Sequence, residues 1–406
     1  MKTTRREFLG SVAAGAALVA APSIVRAQGA DAIRIGALCP VTGVGGPYGS
    51  GMQKMIVAAA EAVNAAGGAG GRKIEIVAED TQTNPQAAVL AAKKLIEVNK
   101  VQAILGTWSS GVSLAVIPLT NDAGIPLMHC SGAPALSVPP ANAKGLGFRF
   151  QATNDRFGRA FAEICEKEGF NRPATMAFNN ASGIGNTEGF TKAWKAKGGE
   201  VVESVVYEPN QASYRSELMK VLAANPDVIV TGSYIADTTI ILREWFQTGQ
   251  PVKWIIPGWA ANPQLVEALG AEVTEGIISV DSVSNEGAEA FKAYDAAYQK
   301  AMGQAGTNNV YAAMTWDMMT VLALAIEAAG TSDMAAVVAK LREVGNPDGK
   351  QVSSFAEGKE ALKAGKINYE GASSVLDFDQ HGDVTPDFGA YFIEGGKLNR
   401  RYVVKI

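Results

Sequence analysis

The chain has 406 residues, more than one hydrophobic core usually serves, so two domains are expected. With 47% hydrophobic and 19% charged residues it reads as a soluble globular protein, and a formal charge of −4 leaves no basic field to draw in nucleic acid. Cys39, Cys130 and Cys165 are widely spaced, with no CxxC pair and no zinc spacing; they read as buried free thiols, with a disulfide among them left open.

Residues 1–27 read as an export signal. A charged start precedes an apolar middle from Phe8 to Ala21, too short for a stable membrane span. Arg5-Arg6 followed by Phe8-Leu9 resembles a twin-arginine signal, a Sec signal being the alternative. Val25-Arg26-Ala27 offers a cleavage site after Ala27, and no cysteine follows closely enough for a lipid anchor. The segment carries Lys2, Arg5, Arg6 and Arg26 against Glu7, so its removal takes the charge from −4 to −7. No further apolar run reads as membrane length. The expectation is a soluble protein of the periplasm.

Past the signal, strands and helices alternate. A buried strand at 32–38 precedes a helix from Ser50, where Met52, Met55, Ile56, Ala59 and Val63 recur at helical spacing up to Gly67-Gly68. A strand at 73–80 precedes a helix from Pro85 to Val98, with proline where its missing N–H costs least. A strand ending in "QAILG", a helix after Ser110 and a strand at 124–129 complete the first series. The rhythm restarts with helix 156–167, strand 174–178, helix 186–197, strand 200–207 and helix 213–224. It continues with strand 227–232, a helix to Gln247, strand 253–258, a helix from Pro263 and strand 276–280. Helices over 288–302, 310–329 and 333–344 follow. The tail, "SSVLDF" and then "FGAYFIEGGKLNRRYVV", reads as β with a Gly-Gly turn. Such βα runs make parallel sheets with right-handed crossovers. The fold class is therefore α/β, with two consecutive series of similar size. Ligands of such sheets bind at the carboxyl ends of the strands.

Enzyme constellations are missing. His129 and Cys130 are adjacent in a strand and should face opposite ways. "GIGNTEG" has Glu188 where a dinucleotide fingerprint needs its third glycine, no Gly-Lys pair precedes Ser or Thr, and HExxH and GxSxG are absent. "TWSSGV" at 107–112 is different. It sets Trp108, Ser109 and Ser110 where a strand turns into a helix, so hydroxyls and free helix N–H groups converge as an anion site would require. A helix cap alone is the plainer reading of those serines. "LMHCSGAPAL" sets Ser131, Gly132 and Ala133 after the neighbouring strand, facing the same cleft.

Four stretches carry a resemblance: "IRIGALCPVTGVGGPYGSGM", "AVNAAGGAGGRKIEIVAEDTQTNPQAAVLAAKKLIE", "GIPLMHCSGAPALS" and "YAAMTWDMMTVLALAIEAAG". In them the chain resembles the Leu/Ile/Val-binding family of extracytoplasmic receptors, which hand ligand to ABC importers. The resemblance implies two Rossmann-like lobes, the type I periplasmic-binding fold, joined by three crossovers and closing on ligand in the cleft. The lobes would be 31–150 with 281–375, and 151–280 with 376–406. It implies a monomeric binding protein with no enzymatic activity and no cofactor or metal, whose partners are a small-molecule ligand and a membrane permease with its ATPase.

The family's amino-acid site transfers position by position. Its carboxylate-binding serine falls on Ser110, with Ser109 beside it. The residues after the next strand fall on Ser131, Gly132 and Ala133, the first-loop aromatic on Tyr48 and a second-lobe tyrosine on Tyr234. Two positions depart: Ile184 stands for a tyrosine, and Trp259 for the acid that pairs with the ligand ammonium. The expected ligand is therefore a carboxylate with an apolar body and no ammonium, such as an aromatic or 2-oxo acid, between Trp108, Trp259, Tyr48 and Tyr234. A branched-chain amino acid is the alternative, with Asp237 as the nearest substitute acid. Urea or amide binding and a ligand-sensing role rank below it.

Overall fold

The computed structural model describes residues 32–406, so the export signal and its cleavage site lie outside the described residues. The chain begins with β1 (Ile33–Cys39), α1 (Gly46–Ala65), β2 (Ile74–Asp80), α2 (Pro85–Lys93), β3 (Ile104–Thr107), α3 (Ser110–Ala123), β4 (Leu127–His129) and β5 (Gly147–Arg149). A second series holds α4 (Asn154–Lys167), β6 (Pro173–Phe178), α5 (Ala181–Ala196), β7 (Ser204–Tyr207), α6 (Arg215–Ala223) and β8 (Val228–Gly232). It ends with α7 (Ile235–Phe246), β9 (Lys253–Pro257), α8 (Pro263–Leu269), α9 (Ala271–Thr274) and β10 (Ile278–Ser282). Then come α10 (Glu289–Met302), α11 (Val310–Ala329), α12 (Met334–Gly345), β11 (Lys350–Val352), α13 (Phe355–Ala361), β12 (Ile367–Tyr369), β13 (Phe388–Glu394) and β14 (Lys397–Val404).

Two main sheets result. The first is wholly parallel, ordered β2-β1-β3-β4-β5. The second is ordered β14-β13-β10-β9-β8-β6-β7, parallel from β7 to β10 and antiparallel where β13 and β14 join. The chain passes between the two sheets three times: after β5, after β10 and between β12 and β13. This is the two-lobed architecture with three crossovers.

Local chemistry explains most element boundaries. Asn84 caps α2 by accepting the Ala87 N–H, and Pro85 follows it. Thr153, Asn180, Asn262 and Asn309 cap α4, α5, α8 and α11 in the same way. Helix α1 begins at Gly46, earlier than Ser50, because Pro47 sits at its start. The stretch predicted as helix up to Val98 widens into a π turn over Lys94–Val98.

Three readings need correction. "SSVLDF" forms no strand: the buried carboxylate of Asp317 collects the Ala372 and Ser373 N–H groups and the Ser373 hydroxyl, pulling the segment into a loop. Helix α11 is long and apolar enough to cross a membrane by length and composition, contrary to the expectation of no such run. It is 78% buried inside the fold, against α1 and α12, as a core helix is. The short strands β5, β11 and β12 and helix α13 were not anticipated. The three cysteines are free and buried, as expected.

Candidate functional site

In a parallel α/β sheet each helix begins where a strand ends, so the carboxyl edge collects helix N-termini. Here two such edges face each other. Between them lies a small pocket, with about 310 Å³ of space free of protein atoms, open solvent included. Five of its lining residues belong to helix starts. Ser109 precedes α3, Asn154 opens α4, Ser182 lies in the first turn of α5, Tyr234 caps α7 and Tyr311 lies in the first turn of α11. Trp108, Cys130, Gly132, Gln151, Phe157 and Trp259 complete the lining, so no lining side chain carries a formal charge.

Gly106 sets up the first wall. Its φ of +100° lies where only glycine is comfortable, and a Cβ there would stand 2.5 Å from Cys39 Sγ. The β3–β4 register shifts at this point, and Trp108 emerges over the cavity. Its indole lies 5.7 Å from the Tyr311 ring, edge to face, and 5.7 Å from the Tyr234 ring of the other lobe. Tyr48 lies behind it, 5.9 Å from Trp108 and 5.2 Å from Tyr311.

The opposite wall is equally fixed. Trp259 Nε1 donates to the Ser233 carbonyl at 2.8 Å, and its ring stands edge to face with Phe157 at 5.2 Å. The Tyr234 N–H donates to Asp237, which also accepts the Tyr207 hydroxyl. The Tyr234 hydroxyl accepts from Asn180 at 3.2 Å and lies within reach of Ser109 and Ser182, joining polar groups of both lobes.

The sequence-proposed residues therefore divide. Trp108, Ser109, Gly132, Tyr234 and Trp259 line the cavity; Tyr48, Ser110, Ser131, Ala133 and Ile184 do not. Ser110 Oγ accepts the Ala133 N–H at 3.2 Å, tying the two strand-end loops together. Ser131 donates to the Trp108 carbonyl at 2.8 Å and meets Ser113 at 2.6 Å. Ala133 joins this loop framework. Ile184 sits half-buried in α5. Asp237, the substitute acid, is committed to Tyr207 and Tyr234.

Sequence reasoning missed Cys130, Gln151, Asn154, Phe157, Ser182 and Tyr311. It also missed Arg149, which is fully buried below the 131–137 loop. Arg149 pairs with Asp383 at 3.0 Å and donates to the Ser131 and Ala133 carbonyls and to Ser137. Burial, helped by the Arg149 charge, pushes the His129 pKa well down, while burial pushes the Cys130 thiol well up. His129 Nδ1 accepts the Ser131 N–H, and only Cys130 of the two lines the cavity, so they form no catalytic pair. Among the described residues, no cluster of His, Cys, Asp or Glu is arranged to hold a metal ion.

The signature of the periplasmic binding protein family matches residues 32–363. Leu/Ile/Val-binding protein homolog 3 of Brucella melitensis is 25% identical, over 90% of this chain and 92% of its own. The structure of a leucine-binding protein, LivK, from Thermotoga maritima superposes with a TM-score of 0.79 at 22% identity, covering 92% of this chain and 99% of that one. A solute-binding protein of an ABC transporter from R. palustris, in complex with benzoate, superposes with a TM-score of 0.73 at 22% identity, covering 92% and 96%.

Proposed function

The chain belongs to the periplasmic binding protein family, in its Leu/Ile/Val-binding branch, and from that premise we propose that it captures a small carboxylate lacking an ammonium group, an aromatic or 2-oxo acid, for delivery to an ABC importer. The observation that carries this reading is the lining of the interlobe cavity: five helix starts and no charged side chain. Each helix start presents partial positive charge, worth about 0.3–1 kcal/mol toward an anion, with the N–H groups of Asn154, Arg156, Gly183, Tyr234 and Ala312 already taken by caps and loop carbonyls. Ser109 and Ser182 add hydroxyl donors. Trp108, Trp259, Phe157 and Tyr234 form flat walls for an apolar body. An ammonium in the same place would meet five unfavourable dipoles and no carboxylate, a loss of several kcal/mol.

In this reading the cavity-lining residues make the ligand contacts, while Tyr48, Ser110, Ser131 and Ala133 hold the strand-end loops. The lobes are 31–150 with 281–375, and 151–280 with 376–406. The protein is exported, with cleavage after Ala27, and works as a monomer whose closed form engages the permease. A branched-chain amino acid is the second reading, favoured by the name of the Brucella relative and opposed by the commitment of Asp237 elsewhere. A thermal-shift panel of leucine and valine against benzoate-like, cinnamate-like and 2-oxo acids decides between them. Stabilisation by the acids alone is expected; stabilisation by leucine or valine alone overturns the choice.

A further inference from the structure

Gln151 lies where the chain first crosses between the lobes; it is 2% exposed and lines the cavity. Its Oε1 accepts the Ala152 N–H at 2.8 Å. A backbone N–H can only donate, so this atom is the carbonyl oxygen and the orientation of the amide is fixed. The Ser282 hydroxyl, at the end of β10, donates to the same oxygen. The other end of the amide, Nε2, is buried and has no hydrogen-bond partner among the described residues. Buried donors are almost always paired in native proteins, and an orphan beside a ligand cavity calls for an acceptor there.

The partners of this amide differ from those of the groups proposed to hold the carboxylate. Ser109, Asn180 and Ser182 gather around the Tyr234 hydroxyl, whereas Gln151 is bonded to the hinge through Ala152 and Ser282. The cavity thus carries, besides its hydroxyls, one buried amide donor with no partner of its own among the described residues. We infer that Gln151 Nε2 reads a neutral oxygen acceptor on the ligand, a hydroxyl, ether or ketone oxygen distinct from the carboxylate. This rests on the carboxylate reading above and narrows it to oxygenated acids. A site that pairs a buried donor rejects the analogue lacking the acceptor far more strongly than it rejects a change of size.

Calorimetric titration of the whole mature protein tests this with acid pairs differing in one oxygen function. The pairs are benzoate against the hydroxybenzoates and methoxybenzoates, and 3-phenylpropanoate against phenylpyruvate. In the wild type, at least one oxygenated member should bind about tenfold or more tightly than its parent. Gln151→Glu keeps an oxygen for Ala152 and Ser282 and replaces the donor with an acceptor. It should abolish the preference for the ether and ketone members, which cannot donate back. Acids that bind without any oxygen preference in the wild type overturn the inference, whether or not the variant folds. An equal loss for parent and oxygenated acid in Gln151→Glu also overturns it, because Gln151 would then read the carboxylate itself. Binding of no acid at all overturns the carboxylate reading and this inference with it.

Discussion

The side-chain amide of Asn262 donates to the hydroxyl of Tyr48 at 2.7 Å, from the start of α8 in one lobe to α1 in the other. The Asn262 carbonyl oxygen is occupied by the N–H groups of Gln264 and Leu265, so the residue caps its own helix and latches the cleft at once. Tyr48→Phe removes the latch and keeps the ring against Trp108 and Tyr311. A net loss of about 0.5–1.5 kcal/mol from the closed form should weaken ligand affinity roughly two- to tenfold. Solution scattering should still show a smaller radius of gyration with saturating ligand. Unchanged affinity in the variant would show that the latch does not bias closure.

Trp259, which the sequence reading sets in place of an ammonium-pairing acid, lines the cavity with its indole pinned by Ser233 and Phe157. Trp259→Ala should weaken binding of the favoured acid about tenfold or more, since the flat wall and its desolvation are lost together. Trp259→Glu should weaken acids further by setting charge beside charge, and should raise affinity for leucine relative to wild type. Competition titration with both ligand classes measures this. A Glu variant that binds acids as well as the Ala variant does would remove the anion from this part of the cavity.

Buried carboxyls set the response to pH. Burial raises Asp237 and Asp281 to about 7 and Asp317 to about 6, against the hydrogen bonds that lower them. An unfolded aspartate titrates near 4, so the folded chain holds more protons between about pH 4 and 7. The stabilisation is fully present below that window and is lost as pH rises through it. The unfolding midpoint should therefore fall from pH 5 to pH 8, by on the order of 2–4 °C for each kcal/mol lost, the three carboxyls together outweighing buried His129, whose depressed pKa adds stability as pH rises to about 6.5. Asp281→Asn should flatten part of the slope. Calorimetry at four pH values checks both, and a midpoint rising steadily over that range would contradict the assignment.

How far the site was legible follows from where its information resides. Trp108, Ser109, Tyr234 and Trp259 sit directly after apolar runs, and the turn from strand to helix is a local pattern. Gln151 and Asn154 occupy a crossover with no periodicity, and their importance comes from Ser282 and Gly132, 131 and 22 residues away in sequence. Tyr311 opens a helix that reads as apolar core throughout, so its place at the cavity needs the packing of α11 on α1. Arg149 looks like a strand residue of no distinction. Its task, holding the 131–137 loop through Asp383, joins partners 234 residues apart. The serines show the converse limit. Sequence marks the loops rich in hydroxyls, but only packing tells which hydroxyl faces the cavity and which is spent tying loop to loop.

One of the closest fits among the described residues joins the lobes at Gly132. Asn154 N–H donates to the Gly132 carbonyl at 2.7 Å, and Asn154 Nδ2 donates to the Ala181 carbonyl at 3.1 Å. A Cβ on Gly132 would stand 2.0 Å from Asn154 Oδ1, and one on Gly185 would stand 2.3 Å from Asn154 Nδ2. The short, bonded amide has nowhere to retreat. Gly132→Ala should therefore cost about 1–3 kcal/mol of stability and displace the start of α4 at the cavity, with a parallel loss of ligand affinity. Asn154→Ala alone should cost about 1 kcal/mol or more for its lost bond to Ala181. In the double variant the new methyl enters the space the amide vacated, so the combined loss should be smaller than the sum of the two. Denaturant unfolding of the four proteins measures the coupling. Strict additivity would mean that the clash is relieved elsewhere and that Asn154 does not wedge the two lobes.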